Sequence, residues 1–135
     1  MTSDQRIRYV NPDNMPTPFG YSHVVEVRNG RTVYVSGQVA LTKEGELVGK
    51  GDLRLQTKQV FENIKSALEA VGSNFNDVVK LTFFLTDISK MQNVRDIRDE
   101  YINTMNPPAS SAVEVRKLIR DELLIEIEAI AVADL

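Results

Sequence analysis

A chain of 135 residues, 42% hydrophobic and 26% charged, has the size and balance of one domain with a packed core, which excludes a disordered or fibrous polypeptide. Its net charge of −3, with Lys and Arg scattered along the chain, gives nucleic acid no basic stripe to bind. The absence of cysteine excludes a disulfide framework, a thiolate zinc site and thiol catalysis, and no run approaches the roughly 20 apolar residues of a membrane span.

The first residues, Met1 to Arg6, hold no apolar core of signal-peptide length, so a cytoplasmic protein is expected. A short extended piece from Arg6 to Val10 leads into Asn11 to Gly20, where Pro12, Pro16 and Pro18 exclude helix and predict a loop. Tyr21 to Arg28 and Arg31 to Ala40 are β-rich runs separated by Asn29-Gly30, the dipeptide suited to a type I′ turn, and predict an antiparallel hairpin. Asp52 caps a predicted helix running to about Val71: Val60, Phe61, Ile64, Ala67, Leu68 and Val71 recur at helical steps, and Gly72 suits a left-handed C-terminal position.

Val78 to Thr86 alternates as a strand, with Val79, Leu81, Phe83 and Leu85 on one side and Val78, Lys80, Thr82, Phe84 and Thr86 on the other. Ser89 and Gln92 form a capping-box pair ahead of a second amphipathic helix that includes Met91, Val94, Ile97, Tyr101 and Met105 and must end at Pro107-Pro108. Two strands close the chain, Pro108 to Val115 and Ile125 to Val132. The order predicts an α+β fold in one domain, residues 1–135, with two helices packed on one face of a mixed six-stranded β-sheet. The other face, carrying Thr82, Phe84 and Thr86, stays partly apolar and predicts self-association.

The terminal strands also carry carboxylates among apolar residues. By strand alternation Glu126 and Glu128 share a face with Ile130 and Val132, and such a carboxylate needs a partner or a task. Glu126 is a candidate to hold a water and accept a proton, with a bond to backbone amides or a neighbouring chain as the alternative; Glu128 and Glu114 read as interface or solvated residues. Tyr21 offers a hydroxyl and a ring to a cleft wall, or ordinary packing; Ser36-Gly37 offers backbone amides, or a bulge. Ser110 and Ser111 do not read as nucleophiles, because the single histidine, His23, lies on another predicted strand. One histidine and no cysteine leave only carboxylates without a recognised spacing, so no metal is predicted.

Several segments in one order resemble the RidA (YjgF/YER057c) family: Phe19-Gly20-Tyr21, Val35-Ser36-Gly37-Gln38-Val39, the Gln56 to Gly72 helix, Asp77 to Lys80, Phe83 to Asp87, and the Ile125-Glu126-Ile127-Glu128-Ala129-Ile130-Ala131-Val132 strand. The resemblance implies a chorismate-mutase-like fold, a homotrimer with a cleft between each pair of subunits, and hydrolysis of enamines or imines without a bound cofactor. The partner implied is thus a small carbonyl- or imine-type metabolite, with no nucleic acid and no membrane. On the matching positions, Tyr21 is similar to the family's cleft tyrosine, Ser36 and Gly37 to its cleft-lining strand end, and Glu126 to the carboxylate that positions water. Ser110 stands where the family carries the arginine that clamps a substrate carboxylate, and Ala112 where a cysteine is frequent. A neutral hydroxyl cannot reproduce the bidentate fork of a guanidinium, and Arg116 lies six residues further on, roughly 20 Å away in an extended strand. A binding or regulatory trimer without turnover therefore stands beside the deaminase reading, and a ribonuclease or translation inhibitor behind both.

Overall fold

The computed structural model describes residues 5–135, and the reading of residues 1–4 falls outside them. Along the chain run β1 (Ile7–Val10), β2 (Val24–Val27), β3 (Arg31–Gln38), α1 (Leu53–Ala70), β4 (Val78–Leu85), α2 (Met91–Arg98), β5 (Ala109–Glu114) and β6 (Ile125–Ala133), an α+β fold. The six strands divide into a two-stranded ribbon, β1-β2, and a four-stranded sheet in the order β3-β6-β4-β5. Only the β4–β5 pair is parallel, so the sheet is mixed as expected.

The expected β2–β3 hairpin does not form: β2 pairs with β1, and β3 with β6. A type I′ turn needs positive φ at both central residues, whereas Gly30 has φ +138° and Asn29 is not in that region. Gly30 instead turns the chain out of the ribbon and onto the sheet, at a place where a Cβ would collide with Val132 and Ala133. Arg6 ties ribbon to sheet there, donating to the Val132 carbonyl at 2.8 Å and pairing with Asp77 at 3.2 Å.

Helix α1 forms where its pattern places it. Asp52 Oδ1 accepts a bond from Leu55 N at 3.1 Å, and Gly72 takes φ +72° just beyond the last turn. Its apolar stripe, Val60, Phe61, Ile64 and Leu68, packs with Leu81, Phe83, Leu85, Ile125 and Ile127 of the sheet in one core. Gln56 is fully buried in that interface, donating to the carbonyls of Gly49 and Glu122 and accepting from Leu124 N. Val78 also joins the core, because a register shift between Val78 and Lys80 turns it away from the face that alternation assigns it.

Helix α2 is shorter than its sequence pattern. Asp87, not Ser89, accepts the capping bonds, from Ser89 N at 3.0 Å and Ser89 Oγ at 2.6 Å, and closes a 3-10 turn over Ile88–Lys90. At the other end the helix gives way to turns after Arg98, and Asn103 Oδ1, accepting from Met105 N and Asn106 N, holds a further side-chain turn before Pro107 is reached.

The helices leave one sheet face open. Leu81, Phe83, Ile125, Ile127 and Ala129 are buried on the helix side, so their neighbours Lys80, Thr82, Phe84, Glu126, Glu128 and Ile130 face the other way. Tyr34, 78% exposed, and Val113, 46% exposed, belong to that uncovered side.

Candidate functional site

The residues singled out in the sequence gather in two places. Gly20 takes φ +79°, and the chain beyond it runs beside the start of β5: Ser22 bridges to Ala109 in parallel and its Oγ donates to the Pro107 carbonyl at 2.6 Å. This seam sets Tyr21 against Ser110, Ser111 and Ala112, and together with Met91, Arg95 and Arg98 of α2 they line a cavity of about 240 Å³. Ser110 pairs in register with Leu81 and Ala112 with Phe83, which puts both on the helix side of the sheet. The Tyr21 ring is fixed edge-on to His23 at 5.4 Å, and His23 Nε2 lies 2.6 Å from the Pro16 carbonyl.

Glu126 lies on the opposite face, across from Phe84 in the β4–β6 ladder. It is half-buried, and its carboxylate makes no hydrogen bond or ion pair with any described residue. The carboxylate packs over Gly37, where any Cβ would overlap it. The β3–β6 register breaks between Val35 and Gln38, so Ser36 and Gly37 stand outside the regular ladder, at a bulge. Ser36 is exposed, and Gly37 also borders an open hollow of about 440 Å³ beside Asn63 of α1. Tyr21, Ser110 and Ala112 thus share a cavity, Gly37 and Glu126 share a contact, and the sheet separates Ser110 and Ala112 from Glu126.

Glu114 has a local task, accepting a bond from Ile88 N at 3.1 Å and so holding the turn that precedes α2. Arg116 lies beyond the end of β5 and does not line the cavity. The cations there are Arg95 and Arg98, which sequence reasoning passed over. Met91, Val94, Ile97 and Arg98 form the buried stripe of α2, so an arginine occupies a position where the helical period calls for an apolar residue. That break in the stripe is the signal that marks it. No cluster of three or more His, Asp or Glu side chains fit to hold a metal occurs among the described residues.

Ionisable groups near the helices are tuned by local contacts. Burial, followed by the hydrogen bond to Glu62, pushes the Tyr101 hydroxyl well above its ordinary value. Bonds from Ser89 hold the Asp87 carboxyl below the ordinary value, and Gln92 does the same for Asp96.

A small α+β chain with an uncovered sheet face and a cavity at the sheet edge is the class that fold and site define. The chain belongs to the RidA/YjgF family: the family model described as Endoribonuclease L-PSP matches residues 13–133. A RutC family protein of Pyrococcus horikoshii is 44% identical, over 88% of this chain and 92% of that one. The 2-iminobutanoate/2-iminopropanoate deaminase of Dermatophagoides farinae is 33% identical, over 94% and 97%. Among solved structures, the Rid-family protein YyfB of Yersinia pestis superposes with a TM-score of 0.83 at 41% identity, covering 94% of this chain and 98% of its own.

Proposed function

We propose that this chain is a cytoplasmic imine or enamine deaminase that acts as a homotrimer, each site being completed where the uncovered sheet face of one copy meets the cavity edge of another. The observation that carries the reading is Glu126: a half-buried carboxylate with no partner among the described residues, seated over Gly37 at the break in the β3–β6 register. A carboxylate with open acceptor sites can hold a water and take its proton as the water attacks. An enamine first takes a proton on carbon and becomes the iminium; water then adds to the C=N carbon, the C–N bond breaks, and ammonia leaves with a carbonyl compound. No bound cofactor is needed, because the protonated imine is itself electrophilic.

The Dermatophagoides farinae relative's name supports 2-imino acids as the substrate class. Tyr21 and Ser110 would offer hydroxyls to the substrate, and Ala112 a small apolar wall. A second reading, a ligand-binding trimer without turnover, is favoured by one observation: Ser110 supplies no charge at the position where the resemblance implies an arginine. The ribonuclease sense of the family description finds little support, since the single histidine is engaged at the Pro16 carbonyl and the chain is acidic.

The test generates 2-aminoacrylate with a dehydratase and times ammonia release with and without the protein. Acceleration by the wild type and its loss in Glu126→Gln are expected. An unchanged rate across several 2-imino acids would leave the binding reading in its place.

A further inference from the structure

The cavity beside β5 contains a charge that the fold does not fully answer. Arg98 is only 5% exposed although it is an arginine. Its Nε donates to Asp99 Oδ1 at 3.0 Å, and its two terminal nitrogens make no hydrogen bond to any described residue. The Asp99 carboxylate is 48% exposed, so the pair is open to water on the acid's side while the guanidinium is held under the surface. Asp99 answers the charge at Nε, whereas the terminal nitrogens are not sealed off, since no buried side-chain nitrogen among the described residues lacks a partner; on a residue that lines the cavity they stay free to donate to an anion. Gly20 lies so close to the guanidinium that a Cβ there would overlap it.

Everything else about the cavity has the same sense. Arg95 sits one turn earlier on α2 and lines the same space, no carboxylate lines it, and the hydroxyl-bearing Ser110 and Tyr21 belong to its lining. Its volume of about 240 Å³ falls below the roughly 300–1,000 Å³ of drug-sized pockets and suits a small metabolite. We infer that Arg98 is the carboxylate anchor of this site, with Arg95 at its rim, so that the cation absent from position 110 of the strand is supplied from α2 across the cavity. The ligand class is a small monocarboxylic acid bearing a neighbouring polar group, such as a 2-oxo or 2-imino acid. This deepens the deaminase reading and rests on it for the identity of the acid, whereas binding itself requires no turnover.

The experiment is titration calorimetry on the intact protein with 2-oxobutanoate and with its methyl ester, which keeps the shape and removes the charge. A charge-assisted bidentate contact predicts that the acid binds at least about tenfold more tightly than the ester. Arg98→Lys should narrow that preference, since a point charge lacks the fork, and Arg98→Gln should abolish it. A folded Arg98→Gln protein that keeps the preference overturns the inference, and so does a wild type that shows none. Should Arg98→Gln fail to fold, the wild type still decides: the Arg98 Nε–H resonance, identified by its absence in Arg98→Lys, should shift on adding 2-oxobutanoate, and an unmoved resonance overturns the inference. Imine turnover with acid binding indifferent to Arg98 would remove this anchor and leave the deaminase; acid binding through Arg98 without turnover would do the reverse.

Discussion

Gly37 and Glu126 show how little separates a sheet position from a chemical one. The glycine is used for space, since the Glu126 carboxylate rests where a Cβ would stand. Gly37→Ala should therefore displace the carboxylate and lower imine turnover by at least about tenfold, because misplacement by an ångström is felt strongly in a positioned group. Comparing kcat with the melting temperature checks this: the first should fall while the second moves by only a few degrees. Tyr101 gives a residue-scale prediction for pH. Its ring stacks on Phe61 at 5.0 Å and its hydroxyl donates to Glu62 at 2.6 Å. Its ionisation is raised above 10.0, so its contribution to stability is intact below that pH and is lost as pH rises through the higher folded value. Ultraviolet titration should show a late tyrosinate step that Tyr101→Phe removes. At this scale the sequence was legible for Glu126, which stood out as a charge on an apolar strand. Arg98 did not stand out, because one arginine in a polar helix looks solvated until the stripe of Met91, Val94 and Ile97 is extended by one more position.

Elements were legible where the signals were local. Asp52, the apolar steps of α1 and Gly72 all act within one or two turns, and the helix begins and ends where they place it. The β2–β3 hairpin failed because strand pairing is a long-range choice: Asn29-Gly30 permits a tight turn, but β6 and β1 offered better partners. The end of α2 was missed as well, since the helix gives way to turns after Arg98, well before the prolines act. Gln56 is the element-scale device that no pattern reveals, a buried amide joining α1 to the loop before it and to the start of β6. Gln56→Leu leaves the Gly49 and Glu122 carbonyls and the Leu124 amide without that partner, and should destabilise the fold by about 2–5 kcal/mol in urea titration. By contrast Arg54→Ala, which removes an exposed pair with Asp96, should cost under about 1 kcal/mol in the same titration.

For the whole molecule, the decisive feature is that Ser110 and Ala112 face the helices while Glu126 faces the open side. No single copy can bring these two surfaces together through its own sheet, whereas a closed ring of copies can apply one surface to the other. The exposed Tyr34 lies on the surface that the proposed trimer would cover, so Tyr34→Asp should lower the mass measured by light scattering from that of the proposed trimer toward one chain of 15.2 kDa, and should abolish turnover with it. The most direct measurement mixes two inactive proteins. Glu126→Gln keeps the cavity and lacks the carboxylate; Ser110→Trp keeps the carboxylate and fills the cavity. After joint unfolding and refolding in equal amounts, mixed oligomers should recover about a quarter of the wild-type deaminase activity, the fraction of interfaces that pair an intact cavity with an intact Glu126. Mixed oligomers that form and remain inactive would contradict a site shared between copies.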